Sequence, residues 1–239
     1  IRTSAGSRAA QIDEGLRAHM NKVYATMSVG MLITFAVAWA IGTAPALLGV
    51  FRDPVTLQPN ILGWIVMFAP LGMVFMFSAM INKFSAAAAQ TFFYAFAAVM
   101  GLSISWIFVA FTGMSIAQIF LITSISFAGL SLWGYTTKKD ISAWGSFLIM
   151  GLIGLIVAMI VNIFLASPAI MFAISILGVL IFAGLTAYDT QNIKNTYLAH
   201  AHHGDQEWLA KSGIMGALSL YLNFINMFMF LLQLFGSRE

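Results

Sequence analysis

The chain has 239 residues, 61% of them hydrophobic and only 8% charged, with a formal net charge of +3 and no cysteine. Soluble domains carry about 25% charged and about 45–50% apolar residues, so this composition excludes an ordinary water-soluble domain and points to an integral membrane protein. The missing cysteines exclude disulfides, thiolate metal sites and cysteine nucleophiles.

Crossing the ~30 Å hydrocarbon layer takes roughly 20 mainly apolar residues in a helix. In chain order, such stretches are expected near residues 23–41, 61–81, 87–111, 115–135, 144–165, 168–197 and 213–235. The runs are long and continuously apolar, whereas barrel strands alternate over about 10 residues. The spacing therefore predicts an all-α integral membrane protein, a bundle of seven transmembrane helices. Residues 1–22 form a polar amino-terminal tail, and residues 23–239 form a single seven-helix domain. Within the tail, Ser7 to Tyr24 has the pattern of a helix leading into the first span, suited to the membrane surface. The breaker segments are "TAPALLGVFRDPVTLQPN", "INKFS", "TGMS", "TTKKDISA" and "ASP", with one longer loop before the last span.

Lys and Arg concentrate in cytoplasmic loops. One side holds Arg2, Arg8, Arg17, Lys22, Lys83, Lys138, Lys139, Lys194 and Lys211; the other holds only Arg52 and Arg238. That asymmetry predicts a cytoplasmic amino terminus and a carboxyl terminus on the opposite side. It accounts for the positive charge without a basic patch of the kind that binds nucleic acid.

The sixth stretch ends in "GLTAYDTQNIK", residues 184–194, which places Asp189 directly after some twenty apolar residues. If the helix reaches the interface near Tyr197, Asp189 lies ~13 Å back along it. Asn223 is at nearly the same depth on the seventh span. Gly216, Ser219, Asn223, Asn226 and Gln233 recur on one helical face, as do Ser175, Gly178, Phe182, Thr186 and Asp189 on the sixth. Small and polar stripes mark helix contacts in lipid, so the two are expected to meet. An ionisable group within a span costs at least ~2.5–3.5 kcal/mol on insertion scales and is by default a candidate functional residue. The alternative is an interfacial, solvated Asp189 capped by Gln191, Asn192 or Lys194.

Other features point to ordinary roles. "HAHHGDQE", with His200, His202, His203, Asp205 and Glu207, has transition-metal ligand types but the composition of a polar connection. Met73, Met76 and Met80 suit packing. Gly151 with Gly154, and Ala86 to Ala89, suit helix contacts within the chain or between copies. The serines of the spans lack a neighbouring histidine base, so no enzyme is expected.

"AYDTQNIK" (187–194), "ALSLYLNFINMFMFLLQLFG" (217–236), "KKDIS" (138–142) and "SFLIMGLIGLIVAMIVNIF" (146–164) resemble the Bax inhibitor family, also called the transmembrane Bax inhibitor motif family, and its bacterial branch in particular. The resemblance implies a seven-helix bundle with the last helix central, in a bacterial inner membrane. For function it implies a pH-influenced passive Ca²⁺ leak with no cofactor, its eukaryotic members being associated with calcium homeostasis and suppression of cell death. The family's pore-closing pair is two aspartates. The first matches Asp189, but the second falls at Asn223, and an expected arginine near the end of the last span falls at Gln233. A basic partner for the pair matches Lys83 at best.

Two close carboxylates share a proton and titrate as a coupled pair. With Asn223 only Asp189 titrates, so a single-group pH response, or none in the physiological range, is expected. Ca²⁺ prefers six to eight oxygens, many from carboxylates, so Asp189 is a weak Ca²⁺ ligand, as suits an ion that must leave. Thr186, Ser219 and Asn226 are weaker pore-lining candidates. The competing reading is a non-transporting regulator or accessory subunit. Some bacterial relatives resemble modulators of a membrane-anchored AAA protease, and such a protease or a larger membrane complex would be met by the tail.

Overall fold

The computed structural model describes residues 2–53, 56, 58–201 and 204–238, with side-chain surroundings from Gln11 onward. Among them the helices are α1 (Arg2–Gly42), α2 (Pro45–Phe51), α3 (Ile61–Met80), α4 (Ala86–Ile104), α5 (Ile107–Ala110), α6 (Gly113–Thr136), α7 (Ser142–Leu165), α8 (Pro168–His200) and α9 (Gln206–Phe235). Seven stretches are long and apolar enough to cross a membrane: Gln11–Gly42, Ile61–Met80, Ala86–Ala110, Gly113–Thr136, Ser142–Leu165, Pro168–His200 and Gln206–Phe235. The protein is an all-α integral membrane bundle of seven spans. Large apolar side chains such as Ile61, Phe147 and Phe164 are mostly exposed, which lipid tolerates and water does not. The last span is the most buried of the seven, at 61% of its apolar window against 17–39% elsewhere.

Three spans depart most from their expected form. The first belongs to a helix that runs from Arg2 to Gly42 without interruption, and Leu16, Met20, Val23 and Met27 are buried at intervals of four, three and four. The last begins at Gln206 rather than 213, because Asp205 Oδ1 accepts Trp208 N at 2.9 Å and so caps about two extra turns. The third is broken at Ser105–Trp106. There Ser105 Oγ donates to Leu102 O at 2.8 Å, and the chain tightens into Phe108 N→Ser105 O, a local side-chain bond competing with the α-helical pattern.

The backbone falls into two compact units. The first comprises Ile1–Gly113, His200–Leu218 and Arg238–Glu239. Here α4 packs on α1 and α3. Gly101 permits the close approach to α1, since a Cβ there would lie 2.6 Å from Thr34 O. Buried Thr34 Oγ1 stands 3.0 Å from Gly30 O and 2.8 Å from Ala97 O. Between α2 and α3 the chain folds back, Arg52 bridging Pro59. Asn60 then caps α3 by accepting Gly63 N at 2.9 Å while its amide donates to Val50 O. Ser85 accepts Ala88 N at the start of α4, and Glu207 Oε1 accepts Ala86 N at 2.6 Å, a carboxylate on a helix N-terminus.

The second unit comprises Met114–Ala199 and Ser219–Ser237. Phe224 of α9 lies edge-on to Phe120 and Phe127 of α6, with centroids at 5.4 and 5.6 Å. Phe230 fills the space opened by Gly178 of α8. The turn from α7 to α8 passes through Ala166 at φ 48°. Asn162 Oδ1 stabilises it by accepting Ser167 N at 3.1 Å.

Candidate functional site

Asp189 and Asn223 both belong to the second unit, on α8 and α9, and Asn223 Nδ2 donates to Asp189 Oδ2 at 2.7 Å. An ionised carboxylate only accepts, so the amide nitrogen must face it and the Asn223 carbonyl oxygen points elsewhere. Asn223 is buried and Asp189 half-buried. From Asp189 the helix runs on to His200, roughly 16 Å at 1.5 Å per residue.

The residues around Asp189 each engage a different neighbour. Ala187 backbone lies against Gly134 of α6, where a Cβ would collide with Ala187 O, and Tyr188 covers Gly145 of α7. Thr190 Oγ1 shares a 2.9 Å hydrogen bond with Ser131 Oγ of α6 and reaches back to Thr186 O at 2.8 Å. Gln191 Oε1 accepts Ile141 N at 3.0 Å and its Nε2 donates to Lys139 O at 2.8 Å. Lys194 Nζ donates to Tyr135 O at 2.8 Å and lies 5.2 Å from the Tyr135 ring, a cation at the end of α6 where helix carbonyls are left over.

Gln191 and Lys194 are thus engaged away from Asp189, contrary to the alternative in which they cap it, and Asn192 is exposed. The weaker pore-lining candidates lie on the same two helices. Thr186 is fully buried, its hydroxyl donating to Phe182 O at 2.8 Å. Asn226 Nδ2 donates to Leu222 O at 2.8 Å, and Ser219 is half-buried. Lys83 is exposed in the turn between α3 and α4, in the first unit.

In the polar connection, His200 stacks on Trp208 at 4.0 Å, Asp205 caps α9 and Glu207 caps α4. His202 and His203 lie outside the described residues. Among those described, no three histidine or carboxylate side chains gather as a metal cluster. Sequence reasoning missed Ser131 and Gly134, and offered Gln191 only as a cap for Asp189. Ser131 and Gly134 do lie one helical turn apart, a faint sign of a packing face.

The family model described as inhibitor of apoptosis-promoting Bax1 matches residues 16–239. The chain belongs to the Bax inhibitor family. Among its relatives, a Caulobacter vibrioides protein is 44% identical over 231 residues, covering 95% of this chain and 92% of the relative. The inner membrane protein YbhL of Escherichia coli is 43% identical over 225 residues, covering 94% of each. A Rickettsia prowazekii protein is 40% identical over 228 residues, covering 95% of this chain and 92% of its own length.

Proposed function

We propose that the protein is a passive cation pathway, with Ca²⁺ as its ion, gated by Asp189 and Asn223. The observation that supports this most is the 2.7 Å hydrogen bond from Asn223 to Asp189, which ties together two span-length helices through a charge. In lipid a charge so placed is costly and marks ion pathways. One carboxylate with one amide supplies oxygens but a single negative charge, a weak site that releases its ion. Asn223 replaces the second aspartate of the family's pair, so pH acts through Asp189 alone. Thr186, Ser219 and Asn226 continue the polar stripes of the two helices.

The membrane is a bacterial inner membrane, a reading supported by the name of the YbhL relative, with the amino terminus cytoplasmic by the lysine and arginine distribution. No catalysis and no cofactor are involved. A second reading, an accessory subunit for a membrane-anchored AAA protease, draws support from the uninterrupted polar start of α1. In that case deleting the first ten residues abolishes co-purification with the protease, and the native chain gives no flux above empty liposomes.

Ca²⁺ flux into liposomes holding the native chain, Asp189→Ala or Asn223→Asp, across pH, tests the channel. Native flux above empty liposomes, altered several-fold by Asp189→Ala and made steeper in pH by Asn223→Asp, is expected. Three proteins indistinguishable from empty liposomes would sink the proposal.

A further inference from the structure

The connection from α6 to α7 carries Lys138, Lys139 and Asp140, all exposed. It emerges beside two exposed tryptophans. Trp133 in the last turn of α6 and Trp144 in the first turn of α7 have ring centroids 6.0 Å apart and planes at 32°, so the pair spans the seam where the connection leaves the helices. Indoles exposed in this way suit the headgroup level of a membrane, where an apolar ring and a polar N–H are both matched. Phe147, one turn further along α7, is 75% exposed and continues the apolar strip into the depth of acyl chains.

The lysines stand on fixed backbone. Gln191 holds Lys139 O and Ile141 N from α8, and Lys139 N donates to Thr137 Oγ1 at 3.3 Å. Asp140, the one acid of the connection, accepts Ser142 N at 2.9 Å. Its charge is directed at the N-terminus of α7, which offsets it. Lys194, bonded to Tyr135 O, adds positive charge at the same end of α6. Two outward cations remain on a preorganised loop, and preorganisation lowers the ordering cost of binding.

We propose that this corner binds an anionic phospholipid. Lys138 and Lys139 contact the headgroup phosphate, Trp133 and Trp144 cover the glycerol region, and an acyl chain runs along Phe147. A free phosphate would use the lysines and leave the tryptophan pair and apolar strip without a role, so the occupant is the lipid. Basic residues beside a span attract anionic headgroups in general; what is particular here is the fixed loop and the aromatic pair.

Native mass spectrometry of the full chain in detergent, with phosphatidylglycerol or phosphatidylcholine of matched chains added, tests the site. More phosphatidylglycerol than phosphatidylcholine should be retained. Lys138→Gln/Lys139→Gln should lower the phosphatidylglycerol adducts several-fold and spare phosphatidylcholine, and Trp133→Leu/Trp144→Leu should lower them as well. Arg17→Gln/Lys22→Gln, removing equal charge from exposed positions of α1, should leave retention as in the native chain. Equal losses in the two charge variants, or no loss in the Lys138/Lys139 variant, would overturn the proposal. Lys138→Gln alone, an exposed position, repeats the comparison if the double variant unfolds.

Discussion

Gln191 is the residue with most to lose. Both ends of its amide are committed to the α6–α7 connection, and Ile141, whose N–H it accepts, is buried. Gln191→Ala leaves that N–H without a partner, a loss of about 1–3 kcal/mol for a buried donor. The expected outcome is a lower thermal midpoint with faster amide exchange at Ile141. Gln191→Glu keeps the acceptor for Ile141 N and loses the donor to Lys139 O, so it should restore protection at Ile141 only. In the sequence Gln191 reads as a neighbour of Asp189, because its real partner lies fifty positions earlier and nothing local announces it. The matched depths of Asp189 and Asn223, by contrast, are legible, since both follow from counting residues along adjoining helices. Asp140 gives a second test at this scale. Hydrogen bonds from the Ser142 hydroxyl and backbone N–H hold its carboxyl below the ordinary carboxylate range. A lowered native pKa means the bond contributes stability above the unfolded value of about 3.9 and loses it as pH falls through the native value. A carboxyl ¹³C titration should place the Asp140 midpoint below that of a model aspartate, and Ser142→Ala should move it upward.

At the scale of helices, glycine separates contact from lipid. Gly134 meets the backbone of Ala187, which cannot yield as a flexible side chain can, whereas Gly154 meets nothing within 4 Å. Gly134→Ala should therefore separate α6 from α8 and destabilise by about 1–3 kcal/mol or more, the usual cost of overpacking. Gly154→Ala should be neutral or stabilising by up to about 1 kcal/mol through helix propensity. Unfolding midpoints in the same detergent compare the two, and equal losses would contradict the packing described. The sequence offers Gly151 and Gly154 as a small-residue face, yet Gly151 meets only the Ile181 side chain. A glycine's environment is invisible from its own helix. The spans themselves are legible because hydrophobicity acts over twenty residues at once. The break at Ser105 is not, because it depends on one hydroxyl turning back to Leu102 O, a choice a run of apolar residues does not reveal.

For the whole molecule, seven spans make a strong topological demand. Under the proposed function the amino terminus is cytoplasmic, a reading argued from the lysine and arginine distribution, and an odd number of crossings then puts the carboxyl terminus on the opposite side. The absence of cysteine makes this directly measurable, because one introduced thiol is the only reactive one. Asn82→Cys and Lys138→Cys occupy exposed turns after the second and fourth spans. Thr56→Cys and Ser237→Cys occupy exposed positions after the first and seventh. In intact cells a membrane-impermeant maleimide should label Thr56→Cys and Ser237→Cys, and reach Asn82→Cys and Lys138→Cys only after permeabilisation. The reverse pattern would keep seven crossings and invert the charge argument. Labelling of Ser237→Cys from the side that protects Thr56→Cys would instead mean that one apolar helix does not cross. The span most open to such a failure is not α9, whose buried stripe is packed against protein, but α3, which shares with α7 the lowest burial, 17% of its apolar window, and has Pro70 within it. A proline removes a backbone hydrogen bond, and in lipid the freed carbonyl needs a substitute partner. Crossing by α3 therefore depends on neighbours in its own unit, and Asn82→Cys is the position that reports it.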